Sequence, residues 1–147
     1  MKLYRIETNS PVHARKYSKT HWILERDYFV KLVTDEGTIT CSMKAGWITD
    51  FRSGSSAVDC IVPKRGNDRY TASVLCHDLM YSGWLSKDLA DELLYQGMVL
   101  SGQSKWRAGL AFKAVQWFGE DSWYSMVSPL PHPYELNRNV EHLEWIA

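Results

Sequence analysis

His77, Asp78 and Tyr81 fall inside one five-residue run, HDLMY, and Asp91 follows ten residues after the tyrosine. An imidazole, two carboxylates and a phenol are the side chains of acid–base hydrolysis. On a helix, residues four apart share a face, so His77 and Tyr81 stack and Asp78 lies about 100° round the axis. If a second helix returns quickly, Asp91 comes level with His77. A carboxylate bonded to one imidazole nitrogen fixes the tautomer and leaves the other nitrogen free to take a proton from water. Asp78 would then hold a hard cation such as calcium, which stabilises the oxyanion formed when water attacks an ester. Asp50 is a second candidate metal ligand, and backbone carbonyls of the glycine-bearing stretch 52–67 would complete the shell. The catalytic candidates are therefore His77, Asp91 and Tyr81, and the metal candidates Asp78 and Asp50. The same four groups also suit a silent polar network that ties two helices. Asp50 likewise suits a cap on the Ser53 loop.

The elements that must position these groups can be read around them. Ala72, Leu75, Cys76 and Leu79 recur at helical spacing, which predicts a helix over 71–81 that ends near Gly83. Ser86 is a natural N-cap for a second helix, with Asp88 in its first turn and Leu89, Ala90, Leu93, Leu94 and Gly97 facing the core. The short link makes the two helices antiparallel neighbours. A third helix is predicted from Ser104 to Phe118, stopped by Gly119, with Trp106, Leu110, Ala114, Val115, Trp117 and Phe118 on its apolar side. Upstream, β-rich runs at 28–33 and 38–43 flank Asp35-Glu36-Gly37 and predict a hairpin, with Gly37 available for positive φ. Another strand is expected after Gly46. Residues 52–70 read as a loop.

The expected fold is thus α+β: a small N-terminal antiparallel sheet, a three-helix antiparallel bundle and a Pro-rich C-terminal arm. One domain is expected over 1–128, β-rich to 51, looped over 52–70 and helical over 71–119. Residues 129–147 would form a docking arm, using Leu136, Val140, Leu143 and Ile146.

Composition narrows the function. The 17 basic and 17 acidic side chains cancel, and no long basic run exists, so nucleic acid is not an expected partner. Cys41, Cys60 and Cys76 are widely spaced, without the C-x-x-C pairs of zinc or redox motifs. No apolar run suits a transmembrane span, and the N-terminus lacks the core of a secretory signal. Synthesis in a cytoplasm is expected. His13, His21, His132 and His142 are scattered without ligand spacing.

HDLMY resembles the H-D-x-x-Y signature of the phospholipase A2 superfamily, whose next helix carries an Asp that orients the catalytic His. That resemblance implies His77 as base, Asp78 as calcium ligand, Tyr81 as supporting hydroxyl and Asp91 as orienting carboxylate. It covers residues 71–95. The superfamily's Y-G-x-x-x-G loop has only Gly54 and Arg65-Gly66-Asn67 as counterparts here, and its disulfide cysteines are missing.

A longer stretch, from WITDFRS through YTASVLCHDLMY and SKDLADELLYQGM to AGLAFKAVQWFG, resembles domain of unknown function 1353. Thr49, Asp50, Ser53, His77, Asp78, Tyr81, Ala90, Asp91, Met98 and Gly119 match its pattern. The family's phage and prophage distribution implies a small virion protein, tail-type, assembled with other virion proteins as a homo- or hetero-oligomer. Two roles follow: a metal-assisted hydrolase acting on a lipid or other cell-envelope ester, or a structural virion component.

Overall fold

The computed structural model describes residues 1–19, 21–49, 68–118, 137 and 139–147. The chain is α+β. Strands β1 (Leu3–Thr8), β2 (Ala14–Lys16), β3 (Trp22–Leu24), β4 (Tyr28–Thr34), β5 (Gly37–Met43) and β6 (Ile48–Thr49) come first. Helices α1 (Asp68–Leu79), α2 (Lys87–Leu100) and α3 (Lys105–Phe118) follow, and then β7 (Glu141–Ile146).

The predicted hairpin forms between β4 and β5, with Thr34 opposite Gly37, whose φ is 132°. Its register is set by burial. Tyr28, Val30, Leu32 and Thr34 point inward from β4, and Ile39, Cys41 and Met43 from β5. A one-residue slip would turn all of these outward. β1 and β7 flank the hairpin, giving an antiparallel sheet in the order β1-β4-β5-β7. β2, β3 and β6 make a second antiparallel sheet.

β7 revises the expectation for the C-terminus. Residues 141–146 pair with β5 from Thr38↔Ile146 to Met43↔Glu141, so this end of the chain is a sheet strand of the domain itself. Leu143 and Ile146 were expected to serve a docking arm, but the segment follows the period of two of a strand at Glu141 and Leu143, which are buried while His142 is not. The prolines at 129, 131 and 133, and Leu136, lie outside the described residues.

α1 begins at Asp68, so residues 68–70 belong to the helix rather than to the predicted 52–70 loop. Every residue from Tyr70 to Tyr81 is buried. Over these residues there is no solvent face, because the large sheet packs on one side while α2 and α3 lie on the other. Ala72, Leu75, Cys76 and Leu79 join the core of the sheet. Val74 instead meets Leu94 and Met98 of α2 and Ala108, Ala111, Ala114 and Val115 of α3. The three alanines let α3 pack closely. Trp106 and Trp117, expected on its buried side, are each 71% exposed. Cys41 and Cys76 are buried free thiols. Among the described residues no helix is long and apolar enough to cross a membrane.

Candidate functional site

α1 ends in a single π-helical turn, Met80–Trp84, and the chain reverses at Gly83, where φ is 91°. Inserted π turns often accompany functional sites because they re-aim side chains. Here the turn keeps Tyr81 buried above His77, with the rings 4.1 Å apart and tilted by 46°. Ser86 then caps α2, accepting from Leu89 N–H at 3.4 Å. The second helix runs back along the first, and the predicted meeting takes place. His77 Nε2 lies 2.7 Å from Asp91 Oδ1, with 1% and 0% of the side chains exposed.

Asp91 gathers three donors. Tyr81 Oη–H donates to Oδ1 at 2.5 Å, and Lys87 Nζ–H donates to Oδ2 at 2.7 Å. Burial by itself would raise the Asp91 pKa, but hydrogen bonds and charge from His77, and bonds from Lys87 and Tyr81, hold it below 3.8. The carboxylate is therefore ionised at neutral pH and can only accept. It follows that His77 Nε2 carries the hydrogen and Nδ1 carries the lone pair. Burial lowers the His77 pKa below 6.5, more than Asp91 raises it, so the ring is neutral at pH 7. Tyr81 is pushed well above its usual range by burial and by its bond to Asp91, which keeps the phenol a donor. Nδ1 of His77 is buried without a hydrogen-bond partner among the described residues.

Lys87 was not among the predicted residues, although its i, i+4 spacing to Asp91 could have revealed it. Its ammonium also reaches Val115 O at 3.0 Å and Gln116 O at 3.4 Å, carbonyls of the last turn of α3. One cation therefore neutralises Asp91 and satisfies acceptors at a helix C-terminus, where the dipole favours positive charge.

Asp78 is also buried on α1. Its Oδ2 accepts from Thr49 Oγ1–H at 2.6 Å, which ties α1 to β6. Asp50 and the 52–67 stretch, assigned to the metal shell by sequence, lie outside the described residues. Among the described residues no group of three or more acidic, His or Cys side chains is arranged to hold a metal. These residues therefore do not by themselves fit a calcium site, which takes six to eight oxygens.

Two further polar anchors were not foreseen. Asn137 is buried, and its side-chain amide pairs with the backbone of Ile48 in both directions at 2.7 Å, extending the small sheet like a strand residue. Glu141 of β7 accepts from the indole N–H of buried Trp47 at 2.7 Å and from Trp84 at 3.3 Å. A cavity of about 340 Å³ lies near the start of α1, lined by residues including Thr8, Ser10, Val12, Tyr28, Thr71 and Ala72, and does not reach His77.

Neither a curated protein nor a solved structure matches the chain. A family profile described as protein of unknown function, DUF1353, matches residues 22–115, well over half of the 147 residues. That span runs from β3 into α3 and contains His77, Asp78, Tyr81, Lys87 and Asp91, as the T-D and H-D-L-M-Y resemblance implied. The chain belongs to the DUF1353 family.

Proposed function

We propose that this protein is a hydrolase that activates water at His77 against an ester of lipid or another cell-envelope component, carried on a bacteriophage particle. The observation that carries this proposal is the buried His77–Asp91 pair, with the second imidazole nitrogen left without a hydrogen-bond partner among the described residues. Nδ1 takes a proton from water while the water oxygen bonds to the ester carbonyl carbon. The imidazolium is stabilised by ionised Asp91. When the tetrahedral intermediate collapses, the C–O bond to the alcohol breaks and the proton passes from His77 to the leaving oxygen. His77 is the catalytic residue, and Asp91, Tyr81 and Lys87 are positioning residues. A calcium ion would need Asp50 and carbonyls of 52–67 beside Asp78. The Pro-rich stretch before β7 would dock on neighbouring virion subunits, and the helices would act as a compact three-helix support for the dyad.

An alternative role, as a structural virion protein with a silent polar network, is favoured by the near-complete burial of both His77 and Asp91. The two are separated by hydrolysis of phospholipid vesicles and of a chromogenic ester. Wild-type turnover that falls by about 10²–10⁴-fold in His77→Ala, with the fold intact by circular dichroism, supports the hydrolase. Absent turnover, or turnover indifferent to His77→Ala, leaves the structural role.

A further inference from the structure

α3, KWRAGLAFKAVQWF, carries three cations and no acid. Trp106, Leu110, Lys113 and Trp117 stand at i, i+4, i+7 and i+11, a single line along the helix. Ala108, Ala111 and Val115 occupy the opposite side and are buried against α1 and α2. The line therefore faces outward. Its two indoles, about 16 Å apart along the axis, are both 71% exposed. Lys113 sits between them, and Lys105 and Arg107 flank the first ring on either side.

We propose that this outward face of α3 docks on an anionic lipid surface. Aromatic rings on the outer line with cations between and beside them are the pattern of an interfacial helix lying in the plane of the headgroups. The rings rest at headgroup level, and the long basic stems keep their charges at the phosphates. Charge selects this occupant over the others. A second copy of the chain would bring like charges together across the same face. Nucleic acid would need a broader positive footprint than one helix of a chain with no net charge. The proposal stands independently of hydrolysis at His77.

The test is flotation with phosphatidylglycerol–phosphatidylcholine vesicles, with tryptophan emission and quenching by brominated lipid. Binding to anionic vesicles, a blue shift and quenching are expected, with weak binding to pure phosphatidylcholine. Each cation adds about a fivefold gain in partitioning, so Lys105→Gln/Arg107→Gln/Lys113→Gln lowers binding about a hundredfold. Trp106→Ser/Trp117→Ser removes the quenching signal of bound protein and weakens binding. Both variants change exposed positions, and circular dichroism checks that they fold. His77→Ala binds like wild type, so loss of hydrolysis and loss of docking are read separately. The proposal is overturned if wild type ignores anionic vesicles at low salt, if either α3 variant binds undiminished, or if single-stranded DNA binds the same face more tightly than the vesicles.

Discussion

Ser73 on α1 faces Gly97 on α2 so closely that a methyl group on the glycine would overlap the serine hydroxyl. This close contact lies one turn along α1 from His77. The same antiparallel register then brings His77 opposite Asp91. The dyad therefore lies one helical turn from a small-residue crossing that makes no chemistry of its own. Ser73 Oγ is itself buried without a partner, among the described residues, so the hydroxyl is held there by packing.

Enlarging the crossing should loosen the dyad. Gly97→Val drives its branched side chain into Ser73 and forces the helices apart, with an expected loss of about 1–3 kcal/mol in urea unfolding. Ser73→Ala removes the unpaired hydroxyl and should be neutral or stabilising. In the Gly97→Val background the imidazole resonances of His77 should titrate closer to 6.5 as water reaches the ring, where wild type titrates lower. A Gly97→Val protein as stable as wild type would show that the crossing is slack.

Acid should destabilise the fold in two stages. The folded His77 pKa lies below 6.5 because burial disfavours the imidazolium. Below pH 6.5 the unfolded chain therefore binds the proton more readily, and stability falls as pH drops. The His77 contribution is complete above 6.5. Asp91, held below 3.8, keeps its contribution above that pH and loses it as pH falls through the folded value. Urea unfolding from pH 8 to pH 4 should show the first decline starting near 6.5, and His77→Gln should flatten it. Parallel wild-type and variant curves would contradict the assignment.

Much of this site was legible because its signals are local. Ser86 as a cap, the hairpin turn at 35–37 and the level meeting of His77 with Asp91 all follow from periodicity and short links. What stayed hidden depends on partners distant in sequence. Apolar Phe29 and Val33 break the alternation of β4 when read locally, yet they are only half-buried on the sheet's other side while Tyr28 and Leu32 enter the core. Hydrophobicity alone puts Trp106 and Trp117 on the apolar side of α3, but alanine-sized contacts leave no room for an indole between α3 and α2. The pairing of β7 with β5 joins segments about a hundred residues apart, which no local pattern announces. The same holds for Asn137 on Ile48.

Removing the charge of Lys87 should separate support of the dyad from general packing. Lys87→Met preserves most of the aliphatic stem but leaves Asp91 Oδ2 and the carbonyls of Val115 and Gln116 without this donor. The expected loss is about 2–3 kcal/mol, since a buried carboxylate loses a close counter-charge. Hydrogen exchange should quicken at the end of α3, which the ammonium holds. If Lys87 merely covers surface, neither the stability nor the exchange of residues 113–118 will move.

β7 offers a prediction that bears on any docking role for the C-terminus. Cutting the chain after residue 140 removes the edge strand beside β5 and takes Glu141 from the indoles of Trp47 and Trp84. The buried Trp47 N–H would lose this acceptor, and the inner face of β5 would lose the cover of Leu143. Such a truncation should lower the unfolding midpoint sharply or prevent folding, so failure of the truncated chain to assemble with other proteins would say nothing about docking. Glu141→Gln is the sharper instrument because it keeps the strand. Its side-chain oxygen still accepts from one indole, and the loss of the charged acceptor should cost about 1–2 kcal/mol, with a shift in Trp47 fluorescence. Should the chain ending at residue 140 melt like the full-length protein, β7 would be an appended strand rather than a wall of the core.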